Sequence, residues 1–130
     1  MVSGKNLINK MYKNLLITTP SNVLYLTGFN GTFGEVILTN KKTYLLTDSR
    51  YIEYAKTLQK PLEVIDITTL GYFKTLEKLI KKHKIETLYF EENNLTVARI
   101  NNIKKDLTNN VPMIRGIKGV SIENSIESLR

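Results

Sequence analysis

The 130-residue chain has no cysteine, no tryptophan, three prolines and one histidine, His83. Without cysteine, a disulfide-stapled scaffold, a thiolate zinc site and a cysteine nucleophile are all excluded. The histidine sits among Lys81, Lys82 and Lys84, neighbours that discourage protonation and make it a poor base for any serine; a solvated helix-end histidine is the expectation. No apolar run approaches the ~20 residues of a membrane span. Residues 1–14 carry lysines but neither a continuous apolar stretch nor a small-residue cleavage site, so they do not read as a signal peptide, and a cytoplasmic address is expected. Phosphate-cradling loops are missing too: Gly28, Gly31 and Gly34 are spaced by three, matching neither the Walker loop nor the dinucleotide fingerprint.

What is present describes an ordinary globular domain. Hydrophobic residues make up 42% and charged residues 24%, and a chain of this length buries about two-thirds of its unfolded surface in one core. Nineteen basic against twelve acidic residues give a net charge of +7, which raises nucleic acid or an anionic membrane as partners. The densest basic cluster, Lys74, Lys78, Lys81, Lys82 and Lys84, is interleaved with Phe73, Leu76, Leu79 and Ile80 at helical spacing. Those lysines read as the wet face of a packed helix, and nucleic-acid binding is disfavoured. Alanine occurs only at Ala55 and Ala98 while asparagine, lysine and isoleucine abound, a bias that can produce the charge without functional demand.

Periodicity and breakers divide the chain. A first helix is expected over 3–12 behind Ser3, then a buried strand at 15–18 stopped by Thr19-Pro20-Ser21-Asn22. A helical turn from Val23 to Thr27 should end at Gly28 as C-cap. The loop from Phe29 to Gly34 has two glycines suited to positive φ or to a close approach, either to bind a partner or to turn a corner. Residues 35–39 and 43–47 should pair as an antiparallel hairpin across Asn40-Lys41-Lys42. From Asp48 or Ser49 a helix through Tyr51, Ile52, Ala55 and Leu58 should stop before Pro61. A strand at 62–67, helix at 70–83, strand at 86–91, helix at 95–107 and short strand near 113–117 follow. A last helix from Ser121 lacks a stop signal, which suggests a domain of a longer polypeptide. The expected fold is an α/β domain with flanking helices and a mixed sheet, because an antiparallel hairpin is embedded among βαβ connections.

Carboxylates fall at the expected strand ends: Asp48, Asp66 and Glu91-Glu92. Converging, they would suit magnesium or manganese, but Asp48 sits where an N-cap is wanted and Glu91-Glu92 on the polar approach to the next helix, so capping and solvation are the preferred reading.

Two segments carry a resemblance. Thr19-Pro20-Ser21-Asn22-Val23-Leu24-Tyr25-Leu26-Thr27-Gly28-Phe29 with Gly31 and Gly34, and Leu45-Leu46-Thr47-Asp48-Ser49-Arg50-Tyr51 with Glu53 and Ala55, together resemble the amino-terminal domain of the aminopeptidase P, prolidase and creatinase family. The resemblance covers nearly the whole chain and implies a creatinase-like domain over 1–120, with 121–130 opening a linker helix towards a carboxy-terminal metallopeptidase domain. It implies a parent that hydrolyses Xaa-Pro bonds with two divalent metals, manganese, cobalt or zinc, held by aspartates, histidine and glutamates of that second domain. No such ligand can be carried onto this chain, so no catalytic or metal residue and no activity are expected of it alone. What remains implied is a homodimer in which this domain walls the active-site entrance and meets a peptide with proline in second position. Arg50 is the first candidate for that role, able to grip a substrate or partner carboxylate bidentately, or else to pair with Glu53 or another carboxylate of the domain. Tyr25, Phe29 and Tyr51 are its aromatic companions, equally suited to core or dimer packing, and Asp48 is the expected structural cap. A creatinase-type amidinohydrolase parent, a protein-binding module and a nucleic-acid-binding module remain open as alternatives.

Overall fold

The structure, a computed structural model, describes residues 14–107 and 113–117. Its elements are β1 (Leu15–Ile17), α1 (Pro20–Thr27), β2 (Glu35–Leu38), β3 (Thr43–Thr47), α2 (Ile52–Ala55), β4 (Glu63–Asp66), α3 (Ile67–Leu70), α4 (Tyr72–Lys82), β5 (Thr87–Glu91), α5 (Val97–Asp106) and β6 (Met113–Ile117). The expected helices at 3–12 and from Ser121 lie outside the described residues.

The strands form one six-stranded sheet in the order β4-β3-β2-β1-β5-β6. Strand β2 is antiparallel to β1 and β3, while β1/β5, β3/β4 and β5/β6 are parallel. The sheet is therefore mixed because one strand is reversed: the hairpin supplies one antiparallel pair, and the return from α1 into β2 supplies the other. Alternate side chains serve opposite faces. Leu16, Ile37, Tyr44, Leu46 and Leu88 pack under Leu76, Leu79 and Ile80 of α4 and Ile103 of α5. On the other face Leu15, Ile17, Val36, Leu38 and Leu45 pack with Val23, Phe29 and Ala55. The α4 stripe foreseen from its period is the buried one, and its lysines stay wet.

Local chemistry explains the element ends. Pro20 occupies the first position of α1, where its missing N–H costs nothing. Gly28, at φ 81°, ends it with its N–H on the Leu24 carbonyl. The helix expected over 48–60 is shortened to one turn, α2: Asp48 to Tyr51 instead form a turn closed by Tyr51 N–H on the Asp48 carbonyl. A four-residue helix gains little on its own, and only Ala55 of it is buried.

Gly31 and Gly34 are not in the left-handed region. Their lack of a side chain serves close packing instead, since a Cβ at either position would lie 2.5 Å from the Phe29 ring. The loop wraps its own buried phenylalanine.

Candidate functional site at the carboxyl ends of the strands

Parallel strands β1, β3, β4, β5 and β6 all end on the same edge of the sheet, where the reversed β2 begins, and open α/β sheets place their sites outside such carboxyl ends. Here the loop 28–34 meets the segment 48–54. Phe29, 2% exposed, stands edge-on to Tyr51 at 5.6 Å between centroids and 5.5 Å from Tyr54. The Tyr51 hydroxyl shares a hydrogen bond with Thr32 Oγ1, which draws its pKa below the ordinary phenol value. Tyr54 donates to Asn30 Oδ1 at 2.7 Å.

Arg50 lies over this base, its guanidinium 5.0 Å from the Tyr51 ring centroid. It does not pair with Glu53. Its Nε and Nη2 donate to the two oxygens of Asp48 at 3.0 and 2.8 Å, and its backbone N–H adds a third bond to Asp48 Oδ1. Hydrogen bonding from Arg50 holds the Asp48 carboxyl below the usual carboxylate range. Asp48 thus organises the turn carrying Arg50 and Tyr51 and is not the cap of α2, which starts four residues later at Ile52 with Tyr51 at its N-cap position. Arg50, Tyr51, Phe29 and Asp48 come together. Tyr25 does not join them: it is 38% exposed on α1, with no ring or hydrogen-bond partner recorded among the described residues. A cavity of about 290 Å³ adjoins the cluster, lined by Thr18, Ser21, Leu24, Phe29, Phe33 and Glu35 among others.

Two buried carboxylates lie nearby: Glu35, which the sequence did not single out, and Glu91, which it placed at a strand end. Glu35, 5% exposed, takes a bidentate bond from Arg99 at 2.8 and 3.3 Å and the Tyr72 hydroxyl. Burial, then the charge of Glu35, pushes the Tyr72 phenol far above its ordinary pKa, so it stays a donor. Arg99 is 5.2 Å from the Tyr72 ring. Glu91, also 5% exposed, lies between β5 and β1: its Oε1 accepts from the backbone N–H groups of Thr18 and Thr19 at 2.7 and 2.9 Å, and its Oε2 from Asn22. Solvation does not explain Glu91, contrary to the sequence expectation. The carboxylate ties the end of β5 to the chain leaving β1 and fixes the entry to α1. For Glu35 the signal in the sequence was a glutamate opening the apolar run of β2, and for Glu91 its strand-end position and an asparagine within apolar α1.

Metal chemistry does not fit these residues. Asp48 is engaged by Arg50, Asp66 caps α3 through Thr68 N–H, and Glu35 and Glu91 are saturated by donors. Among the described residues no three His, Asp or Glu side chains converge as a ligand set. Nor is any helix among them long and apolar enough to cross a membrane.

Fold and edge cluster define an α/β domain covered on both faces of its sheet that presents a guanidinium and aromatic rings at the carboxyl edge. Residues 5–130 match the Creatinase/Prolidase N-terminal domain, and the chain belongs to that family. It is 35% identical over 82 residues to the uncharacterized peptidase YqhT of Bacillus subtilis, an alignment covering 63% of this chain and 23% of that protein. Among solved structures, an Xaa-Pro aminopeptidase from Streptococcus pyogenes superposes with a TM-score of 0.77 at 28% identity, over 97% of this chain and 90% of that one. The N-terminal domain of the cytoplasmic peptidase PepQ from Mycobacterium tuberculosis superposes with a TM-score of 0.72 at 26% identity, over 98% and 95%. The chain spans about a quarter of the length of the curated relatives it matches.

Proposed function

We propose that this chain is the non-catalytic amino-terminal domain of a cytoplasmic, metal-dependent Xaa-Pro aminopeptidase or dipeptidase, where it takes part in a homodimer and walls the active-site entrance. Domain 1–120 is the wall and 121–130 begins the connection to a catalytic domain holding two divalent metals, manganese, cobalt or zinc. A bond to proline is a tertiary amide without an N–H, which ordinary extended-strand recognition cannot grip, so selection by the shape and charge of an entrance suits such substrates.

The observation that carries this reading is Arg50. Its side chain is 64% exposed, yet two of its five N–H groups are tied to Asp48 and its plane lies against Tyr51. The other three are free of that pairing to meet the carboxylate of a short peptide or of a partner subunit. Phe29 supports Tyr51 from below, Asp48 orients the guanidinium, and Tyr25, apart from this cluster on α1, offers a separate exposed aromatic contact.

The test has two parts. Xaa-Pro cleavage with added manganese is measured on the 130-residue chain and on the longer polypeptide that contains it; cleavage by the longer form alone is expected, and an active 130-residue chain refutes the reading. Arg50→Ala in the longer form should lower kcat/KM by about tenfold with unchanged sedimentation. Unchanged kinetics on every Xaa-Pro substrate removes Arg50 from the entrance.

A further inference from the structure

The opposite edge of the sheet, at the amino ends of the parallel strands, holds a larger cavity of about 740 Å³. We propose that it binds a small phosphate-bearing anion, with Lys41, Lys82 and Lys84 as its cationic contacts.

The first support is unbalanced charge. Lys42 and Lys81 are each paired, with Glu63 at 2.7 Å and Glu77 at 3.4 Å. Among the described residues Lys41, Lys82 and Lys84 line the cavity with no ion pair, Lys82 resting only over the Tyr44 ring at 6.0 Å, and the one carboxylate on its wall is Glu86. His83, also on the wall, gives its Nε2 to a 2.7 Å bond with the Tyr44 hydroxyl. Its basicity is lowered first by burial and then by the charges of Lys82, Lys41 and Lys42, with Glu63 opposing. Three ammonium groups near a space within the usual range for a small ligand suit a compact dianion.

The second support is backbone strain at the cavity. Helix α4 ends in a Schellman motif, with Ile85 N–H on the Ile80 carbonyl at 3.0 Å and Lys84 N–H on the Lys81 carbonyl at 3.3 Å. This motif puts one residue in the left-handed region, a place usually taken by glycine. Here it is Lys84, at φ 50°. Lys81 and Lys82, in the last turn of α4, are accounted for by the helix dipole. Lys84 lies beyond that turn, so dipole compensation explains it less well than a ligand does. Asn14, at φ 60°, is the other non-glycine residue of positive φ among the described residues, and it lines the same cavity. Asparagine tolerates that region, so the strained residue at the cavity is Lys84, and strain of that kind is found at ligand sites.

This inference does not depend on the peptidase reading. The 130-residue chain is titrated with inorganic phosphate and with pyrophosphate at fixed ionic strength, following backbone amide shifts. Saturable shifts confined to 40–42 and 82–87, tighter for pyrophosphate, are expected. Lys84→Gly keeps the left-handed cap and removes the ammonium: the melting temperature should rise while pyrophosphate binds about threefold to tenfold more weakly. Lys41→Ala should weaken binding likewise without changing the cap. The proposal is overturned if no shifts saturate by about 10 mM, a Kd beyond which binding is negligible, or if Lys84→Gly raises the melting temperature and leaves pyrophosphate affinity unchanged. A short oligonucleotide that binds more tightly than pyrophosphate, with shifts spreading beyond the cavity, overturns the small-molecule assignment in favour of a nucleic-acid surface.

Discussion

At the carboxyl edge of the sheet every charged group described above has a partner, Glu35 with Arg99 and Tyr72, Glu91 with three N–H donors, Asp48 with Arg50; at the amino edge Lys41, Lys82 and Lys84 share one cavity with Glu86. The difference lies in burial. A carboxylate taken out of water must be matched by donors or it destabilises the fold, so the buried acids at the carboxyl edge hold loops in place. An exposed ammonium costs little when unpaired, so the basic edge can carry charge that folding does not require.

Mutation can break that contrast. The largest effect should come from Glu91→Ala, which strands the Thr18 and Thr19 N–H groups and the Asn22 amide in a buried crevice. A loss of about 3 kcal/mol is expected, read by urea unfolding, and a loss under about 1 kcal/mol would show that water replaces the carboxylate. Arg99→Ala leaves Glu35 buried against Tyr72 alone and should cost about 2 kcal/mol, discounted because Arg99 is partly exposed. Combined with Glu35→Gln the loss should be less than additive, a coupling that a double-mutant cycle measures. Gly34→Ala drives a methyl into the Phe29 ring and should cost roughly 1.5 kcal/mol. At the basic edge the sign reverses: Lys84→Gly should stabilise by about 0.5 kcal/mol through relief of the left-handed strain.

The smallest effect is one of pH. Burial and nearby lysines lower the His83 pKa from its ordinary value, so near neutrality the unfolded chain binds more protons than the folded one. Its contribution to stability is full above the ordinary histidine pKa of about 6.5 and is lost as the pH falls from there through the lowered folded value. Melting temperatures measured from about pH 8 to pH 5.5 should decline on the acid side, and His83→Gln should flatten that decline. Asp48 and Glu63, whose pKa values are lowered by Arg50 and Lys42, act only below about pH 4.5. The two windows are therefore separable.

Much of the fold was legible because its signals are local. The 3.6-residue stripe of α4, the alternation between strands and helices, Pro20 and Gly28 bracketing α1, and the 40–42 hairpin turn depend on residues a few positions apart. The helix expected after Asp48 was too long: Leu58 does pack on the core, but it does so from non-helical chain beyond the single turn Ile52–Ala55. Glycine spacing marked the 28–34 loop as a close approach but did not identify Phe29 as the group approached.

By itself the sequence determined the α/β class, the family likeness carried by 19–34 and 45–55, the wet lysine face of α4, and the grouping of Asp48, Arg50 and Tyr51 within one turn. The tertiary structure alone decided which partners meet across the sheet: Glu91 with Thr18 and Thr19, 73 and 72 residues apart, Glu35 with Arg99, 64 apart, and Tyr44 with His83, 39 apart. Propensity and periodicity act through nearest neighbours along the chain, whereas the partner of a buried charge is whichever donor the strand order brings within about 3 Å.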